Sequence, residues 1–163
     1  MIILGIDPGY AIVGYGVVQM EKGKFTALDY GVIKTPQSES ISVRLSMIAH
    51  ELQAILEKYK PDAVAIEELF FSANRKTGIM VAEARGVILL TCNEFCGNLF
   101  EYTPMQIKQA ITGYGGADKQ QIQHMITLLL RLKSIPKPDD AADALAVALC
   151  HGQSAKFGDQ FRI

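Results

Sequence analysis

Much that would assign this chain to a functional class is scarce or missing. Its 163 residues include only three cysteines, Cys92, Cys96 and Cys150. An odd number offers no disulfide framework, and free thiols in a reducing compartment are the simplest reading. Cys92 and Cys96 would share a helix face, with Cys150-His151 as conceivable partners for zinc, but a helical Cys-x3-Cys is poor ground for a zinc site. No apolar run reaches the roughly 18 residues that would span a membrane. The opening Met1-Ile2-Ile3-Leu4-Gly5-Ile6-Asp7 carries no basic leader and reads as a strand rather than a signal peptide. A cytoplasmic protein with no membrane association is expected. There is no Gly-Lys-Ser/Thr phosphate loop, no Ser-His-Asp or Cys-His arrangement, and no internal repeat, linker or low-complexity tract. An excess of positive charge is also missing, since 16 Lys and Arg stand against 17 Asp and Glu for a net charge of −1. That is not the usual footprint of a nucleic-acid binder. Net charge averages over the surface, however, and a carboxylate cluster neutralised by a divalent cation leaves basic residues free to line one face.

The composition, 49% hydrophobic and 20% charged, is that of a folded globular chain. Its length suits one domain, expected over residues 1–152, with 153–163 a flexible tail of little apolar pattern. Residues 2–7 read as a fully buried strand. Residues 12–20 and 25–34 are rich in β-branched and aromatic residues and flank Glu21-Lys22-Gly23-Lys24, a good hairpin connection. Leu45, Ile48, Ala49, Leu52, Ile55, Leu56 and Tyr59 then recur at helical spacing, with Ser40 as a cap and Pro61 as a stop. Residues 62–67 return to strand. Ser72 to Gly78 is polar and reads as a mobile loop, and 79–96 as a helix apolar on most faces. A short strand at 98–102 leads into Thr103-Pro104, a strong helix start. That helix stops at Gly113, a further helix runs from Asp118 to about Lys133, and the last runs from about Asp139 to His151. His124 reads as a polar helix-face residue. This order predicts an α/β protein with a mixed five-stranded sheet, its first three strands antiparallel, flanked by helices.

Four carboxylates stand out against this background. Asp7 ends the first apolar strand before Pro8-Gly9, and Glu67 ends Ala63-Val64-Ala65-Ile66. Asp140 and Asp143 lie three apart at the start of the last helix. An acid at the tip of a buried strand is unfavourable unless something compensates it. If strand one lies beside strand four, Asp7 and Glu67 are neighbours, and a helix across that edge adds the other two. A hard divalent cation is the obvious shared compensator. The positive end of the helix favours ionised carboxylates at its first turn. Taken alone, the pair could equally cap the helix, and Asp7 could equally be a turn residue. Asp139, four before Asp143, competes with Asp140 for a place on the same helix face. Glu68, next to Glu67 on a strand, points to the other face of the sheet.

Gly5-Ile6-Asp7-Pro8-Gly9, Ala65-Ile66-Glu67-Glu68-Leu69-Phe70, Ala84-Arg85-Gly86-Val87 and Asp140-Ala141-Ala142-Asp143-Ala144-Leu145-Ala146 occur in that order. Together they closely resemble the RuvC family of Holliday-junction resolvases, from Met1 to about His151. The resemblance implies a ribonuclease H-like fold and a homodimer. It also implies a crossover junction endodeoxyribonuclease that resolves four-way DNA junctions by paired symmetric nicks in recombination and repair. Carried over by motif, Asp7, Glu67, Asp140 and Asp143 are the catalytic and metal-binding acids. The Asp-Ala-Ala-Asp register favours Asp140 over Asp139, at a position where some family members have histidine. The implied cofactor is Mg²⁺, two per subunit, with Mn²⁺ a substitute. Such a pair, about 3.5–4 Å apart, suits phosphodiester hydrolysis.

Phe70 matches the family's base-contacting position, where an aromatic stacks on a base opened near the scissile phosphate, and is favoured over Phe71. Lys108 and Lys119, flanking the Gly113–Gly116 loop, match its phosphate-contacting lysines. Lysine suits this role as a point charge without base readout. Arg75 and Lys76 are weaker DNA-binding candidates. Two nicks in a nearly two-fold junction call for a two-fold dimer, for which helix 79–96 is the candidate interface. The family further implies a partnership with the RuvA–RuvB branch-migration complex. The alternatives are a RuvC-like YqgF-type nuclease acting on RNA, a junction-binding module without catalysis, and an actin-like ATPase domain. The late Asp-Ala-Ala-Asp helix and the Phe70-Phe71 loop weigh against the first, the complete acid set against the second, and the chain length against the third.

Overall fold

The computed structural model describes residues 1–69, 75–154 and 160–163. Three antiparallel strands come first: β1 (Ile2–Asp7), β2 (Ile12–Glu21) and β3 (Lys24–Lys34). They are followed by α1 (Ile41–Tyr59), β4 (Ala63–Glu67), α2 (Arg75–Phe95) and β5 (Leu99–Tyr102), then α3 (Pro104–Thr112), α4 (Lys119–Leu129) and α5 (Asp139–Ser154). The five strands form one sheet in the order β3-β2-β1-β4-β5. The β1–β2 and β2–β3 pairs are antiparallel, whereas β1–β4 and β4–β5 are parallel. The expected mixed sheet is therefore present, with β1 central and next to β4.

Strand periodicity sorts the side chains into two cores. Leu4, Ile6, Val13, Val17, Val64 and Ile66 face Ile48, Leu52 and Leu56 of α1 and Ala84, Ile88 and Cys92 of α2. Ile3, Val18, Ala65 and Tyr102 face the other way, onto α5 and the helices α3 and α4 outside it. Cys92 and Cys150 thus lie in cores on opposite faces of the sheet, so one zinc ion cannot join them.

Two glycines make the second core possible. A Cβ on Gly5 would stand 2.1 Å from the Ala144 carbonyl oxygen, and one on Gly14 would stand 2.1 Å from that of Asp140. The backbone of α5 therefore lies directly on β1 and β2. Its apolar residues from Ala141 to Cys150, Asp143 excepted, are buried on all sides. The small alanines of α5 serve the same close approach from the helix side.

The capping signals act as expected. The Ser40 hydroxyl accepts from the Val43 N–H, and Thr103 and Asp118 each form a reciprocal capping box, with Gln106 and Gln121 respectively. Two expectations need correction. The segment read as a loop up to Gly78 is already helical from Arg75. Arg and Lys are good helix formers, and a polar stretch does not by itself break a helix. The tail expected to be flexible over 153–163 keeps helical form to Ser154, and residues 160–163 return to the sheet edge. There the Phe161 ring packs 4.8 Å from that of Tyr102, and the Ile163 N–H donates to the Leu99 carbonyl at 3.1 Å. An aromatic anchor, a ladder bond and a hydrogen bond from the Arg162 guanidinium to Asn98 Oδ1 at 3.2 Å hold a segment that has no apolar periodicity of its own.

Gly5→Ala is expected to lower stability by about 1–3 kcal/mol, because backbone rather than a mobile side chain must give way. Urea unfolding followed by circular dichroism measures this, and an unchanged midpoint would contradict the close approach.

Candidate active site

Pairing of Ile6 with Ile66 in the parallel β1–β4 ladder puts the next residues, Asp7 and Glu67, side by side at the carboxyl ends of adjacent strands. Both continue the Ile3/Ala65 side of the sheet, the side that α5 covers. Gly14, opposite Asp7 in the β1–β2 register, lets the first turn of α5 come down beside them. Asp143 reaches the site from that turn. Asp7, Glu67, Asp143, Lys108 and Lys119 line one cleft of ≈ 440 Å³, floored by Pro104, Ile107, Ile122 and Ala146.

The electrostatics of this cleft are adverse to its acids. Burial first, and then the charges of Glu67, Asp143 and Asp140, push Asp7 up to about 7 against a weaker opposing pull from Lys119. Burial and then Asp143 raise Glu67 to about 7, with Lys108 and Lys119 opposing. Asp143 is also raised, by burial that outweighs its ion pair with Lys119. Asp140 is felt by Asp7 and so belongs to the cluster electrostatically, although it does not line the cleft.

Asp139 behaves differently. Its carboxylate accepts from Lys137 Nζ at 3.0 Å and from Gln123 Nε2 at 3.1 Å, and pairs with Lys119 Nζ at 3.3 Å. The Lys137 and Lys119 ammonium groups hold it below the usual carboxylate range. It is a satisfied acid on the rim of the cleft and, like Asp140, it acts on Asp143 by charge. Lys119 also donates to Asp143 Oδ2 at 3.2 Å.

Among the described residues, no three His, Cys, Asp or Glu side chains are drawn close enough to hold a metal ion as they stand. The donor set nevertheless fits a hard cation. Its atoms are carboxylate oxygens, they are half-buried around one cleft, and their mutual repulsion is what a cation would relieve.

Phe70 and Phe71 lie outside the described residues, as do the side chains of Arg75 and Lys76. Glu68 does turn to the opposite face, where it lines a hollow with Arg85 and Glu101, an ion pair tying α2 to β5. Sequence reasoning missed three contributors. Gly5 and Gly14 were readable only as strand residues, because close approach is a property of the partner helix. His151 sits 3% exposed at the end of α5, with its Nδ1 2.8 Å from the Tyr102 hydroxyl. Burial drives its pKa down to about 4, so it stays neutral and anchors α5 to β5.

A family model described as crossover junction endodeoxyribonuclease RuvC matches residues 3–151. The chain belongs to the RuvC family. The crossover junction endodeoxyribonuclease RuvC of Alkaliphilus oremlandii is 53% identical over 163 residues, covering all of this chain and 99% of that protein. RuvC of Caldicellulosiruptor saccharolyticus is 57% identical over 152 residues, 93% of this chain and 92% of that one. Among solved structures, Thermus thermophilus RuvC in complex with a Holliday junction substrate superposes with a TM-score of 0.95 at 36% identity, covering 100% of this chain and 99% of that one. The sheet order and the helix crossing its face are thus those of a RuvC fold.

The raised Asp7 and Glu67 have a consequence for stability. Each folded-state pKa lies above its unfolded value, so without metal the protein loses stability as pH rises from about 4 through about 7. In EDTA, Asp7→Asn is expected to stabilise by ~1–3 kcal/mol near pH 8 and to change little near pH 5, where Asp7 is mostly protonated. Thermal denaturation at the two pH values tests this. A pH-independent shift would refute the coupling.

Proposed function

We infer that this chain is a metal-dependent, structure-specific endonuclease that resolves four-way DNA junctions by paired symmetric nicks. The observation that carries the reading is the cleft itself. Asp7, Glu67 and Asp143 are held against their own repulsion on three converging elements, and Lys108 and Lys119 rim the same opening. Membership of the RuvC family, with a relative bound to a Holliday junction, supplies the substrate class.

Asp7, Glu67, Asp143 and Asp140 would hold Mg²⁺, two ions per subunit, with Mn²⁺ a workable substitute. Bound there, the ions would neutralise the acids, activate a water and stabilise the leaving oxygen of the phosphodiester. The chain's own residues do the rest. Asp7 would hold metal from the end of the central strand. Lys108 and Lys119 attract and seat the scissile phosphate by charge alone, without reading sequence. The apolar floor of Ile107, Ile122 and Ala146 limits water around that phosphate and strengthens each charge interaction. Phe70, two residues beyond Glu68, would stack on a base unpaired near the cut.

Two symmetric nicks call for two sites, and a homodimer supplies them. The outward face of α2, with Ile79 61% and Leu90 60% exposed, is the surface for a second copy. Cooperation with a RuvA–RuvB branch-migration complex follows from the family.

Incubation with a synthetic four-way junction in Mg²⁺ is expected to give paired nicks, which vanish in EDTA and in Asp7→Asn. Tight binding with no nicks in any divalent metal would instead make the chain a junction-binding module. Cleavage of RNA in preference to the junction would favour a YqgF-type activity. Lys108→Met is expected to weaken junction binding equally across sequences and to reduce the salt slope of log K by about one. An unchanged slope in a salt titration of binding would remove Lys108 from the phosphate contacts.

A further inference from the structure

Lys119 has two acid partners of different kinds, and Asp139 is the one the proposed chemistry does not use. Nζ of Lys119 stands 3.2 Å from Asp143 Oδ2, inside the cleft, and 3.3 Å from Asp139 Oδ2, outside it. Asp139 is itself fixed from two further directions. Lys137 donates to its Oδ1 from the segment before α5, and Gln123, 7% exposed, donates to the same oxygen from α4. Lys119 opens α4 and both acids lie in the first turn and a half of α5, so the two helices meet at this ammonium group.

We propose that Asp139 is a positioning residue that keeps Lys119 at the rim of the cleft and so releases Asp143 to bind metal. The proposal rests on the metal reading of the cleft given above. A lysine paired with Asp143 alone would compete with a cation for that carboxylate. It would either resist metal binding or, once displaced, lose its only anchor and the long stem would become free to move. With Asp139 already in contact, displacement from Asp143 breaks one of two ion pairs and leaves the other intact. The ammonium group then remains beside the acids, where an incoming phosphate can share it. Asp139 is well suited to this because it is exposed and already satisfied by Lys137 and Gln123. It gains little from binding a cation itself, and no step needs it to move. Exposed ion pairs contribute little to stability, so the role concerns geometry and competition rather than folding.

Calorimetric titration of Mg²⁺ into the full chain, without DNA, tests this in a double-mutant cycle. Asp139→Asn is expected to weaken Mg²⁺ binding several-fold when Lys119 is present and to have no effect in a Lys119→Gln background, because the competitor is gone. Asp139→Glu is expected to restore most of the loss. An equal weakening in both backgrounds means that Asp139 acts only as one more negative charge near the site, and overturns the proposal. Unchanged affinity in the Asp139→Asn variant with Lys119 present overturns it as well. Failure of the unsubstituted chain to bind Mg²⁺ saturably overturns the metal reading and the proposal with it.

Discussion

Burial of Asp7, Glu67 and Asp143 beside one another, reinforced by their mutual repulsion and that of Asp140, is the constraint around which this molecule is built. Carboxylates spread over a surface would relax by turning to water. Here each is rooted in an element that cannot yield: the end of a central strand, the end of its parallel neighbour, and the first turn of a helix buried along most of its length. The sheet order follows from this need. Parallel pairing of β1 with β4 is what puts two strand ends, and so two acids, at the same edge. The antiparallel β2 then brings Gly14 opposite Asp7, leaving room for the helix that adds the others.

The means of placing α5 is steric. Where β1 and β2 lack Cβ atoms, the helix backbone lies against the sheet, and its alanines present no bulk in return. Interfaces packed this tightly do not deform gradually, so the first turn of α5 is held to the strand ends with little play. The far end of α5 is held as firmly, by the His151–Tyr102 contact and the ring of Phe100 at 4.3 Å. A helix pinned at both ends converts the stability of the core into precision at the acids. The same arrangement explains why the cleft tolerates acids raised to about 7: the surrounding apolar contacts offset a penalty confined to a few groups.

How much of this was readable beforehand depended on whether the signal was local. Strand and helix identities, the hairpin, the cap at Ser40 and the helix starts at Thr103 and Asp118 follow from periodicity and turn chemistry, whereas the central place of β1 is only conditional in the sequence and comes from the fold. Asp7 and Glu67 stand out because acids are anomalous at the ends of apolar runs, and Asp143 through the Asp-Ala-Ala-Asp pattern at a helix start. The start of α2 is hidden in the sequence because a polar stretch suits a loop and an exposed helical turn equally. The return of Phe161–Ile163 to β5 was missed because a single aromatic has no period. Asp139 and Asp140 could not be separated by spacing, since both suit the first turn of one helix. What separates them is the location of Lys137, Gln123 and Lys119, which no local pattern encodes.

The lysines complete the logic of the cleft. Lys108 and Lys119 oppose the rise of Glu67, and Lys119 opposes that of Asp7, yet neither effect prevails. If basic residues had fully neutralised the acids, the site would be stable and inert, with no net charge left to draw in a cation. If there were none, a polyanionic substrate would meet a wall of like charge. Two lysines against three lining acids, with Asp140 close enough to act on Asp7, leave a cleft suited to a divalent cation. On the proposed function, metal that neutralised the acids would leave the same lysines as the dominant local charge and so favour a phosphate backbone. One arrangement of side chains thus suits opposite charges in turn. Such a reversal would reconcile a net charge of −1 with the DNA binding proposed for this chain.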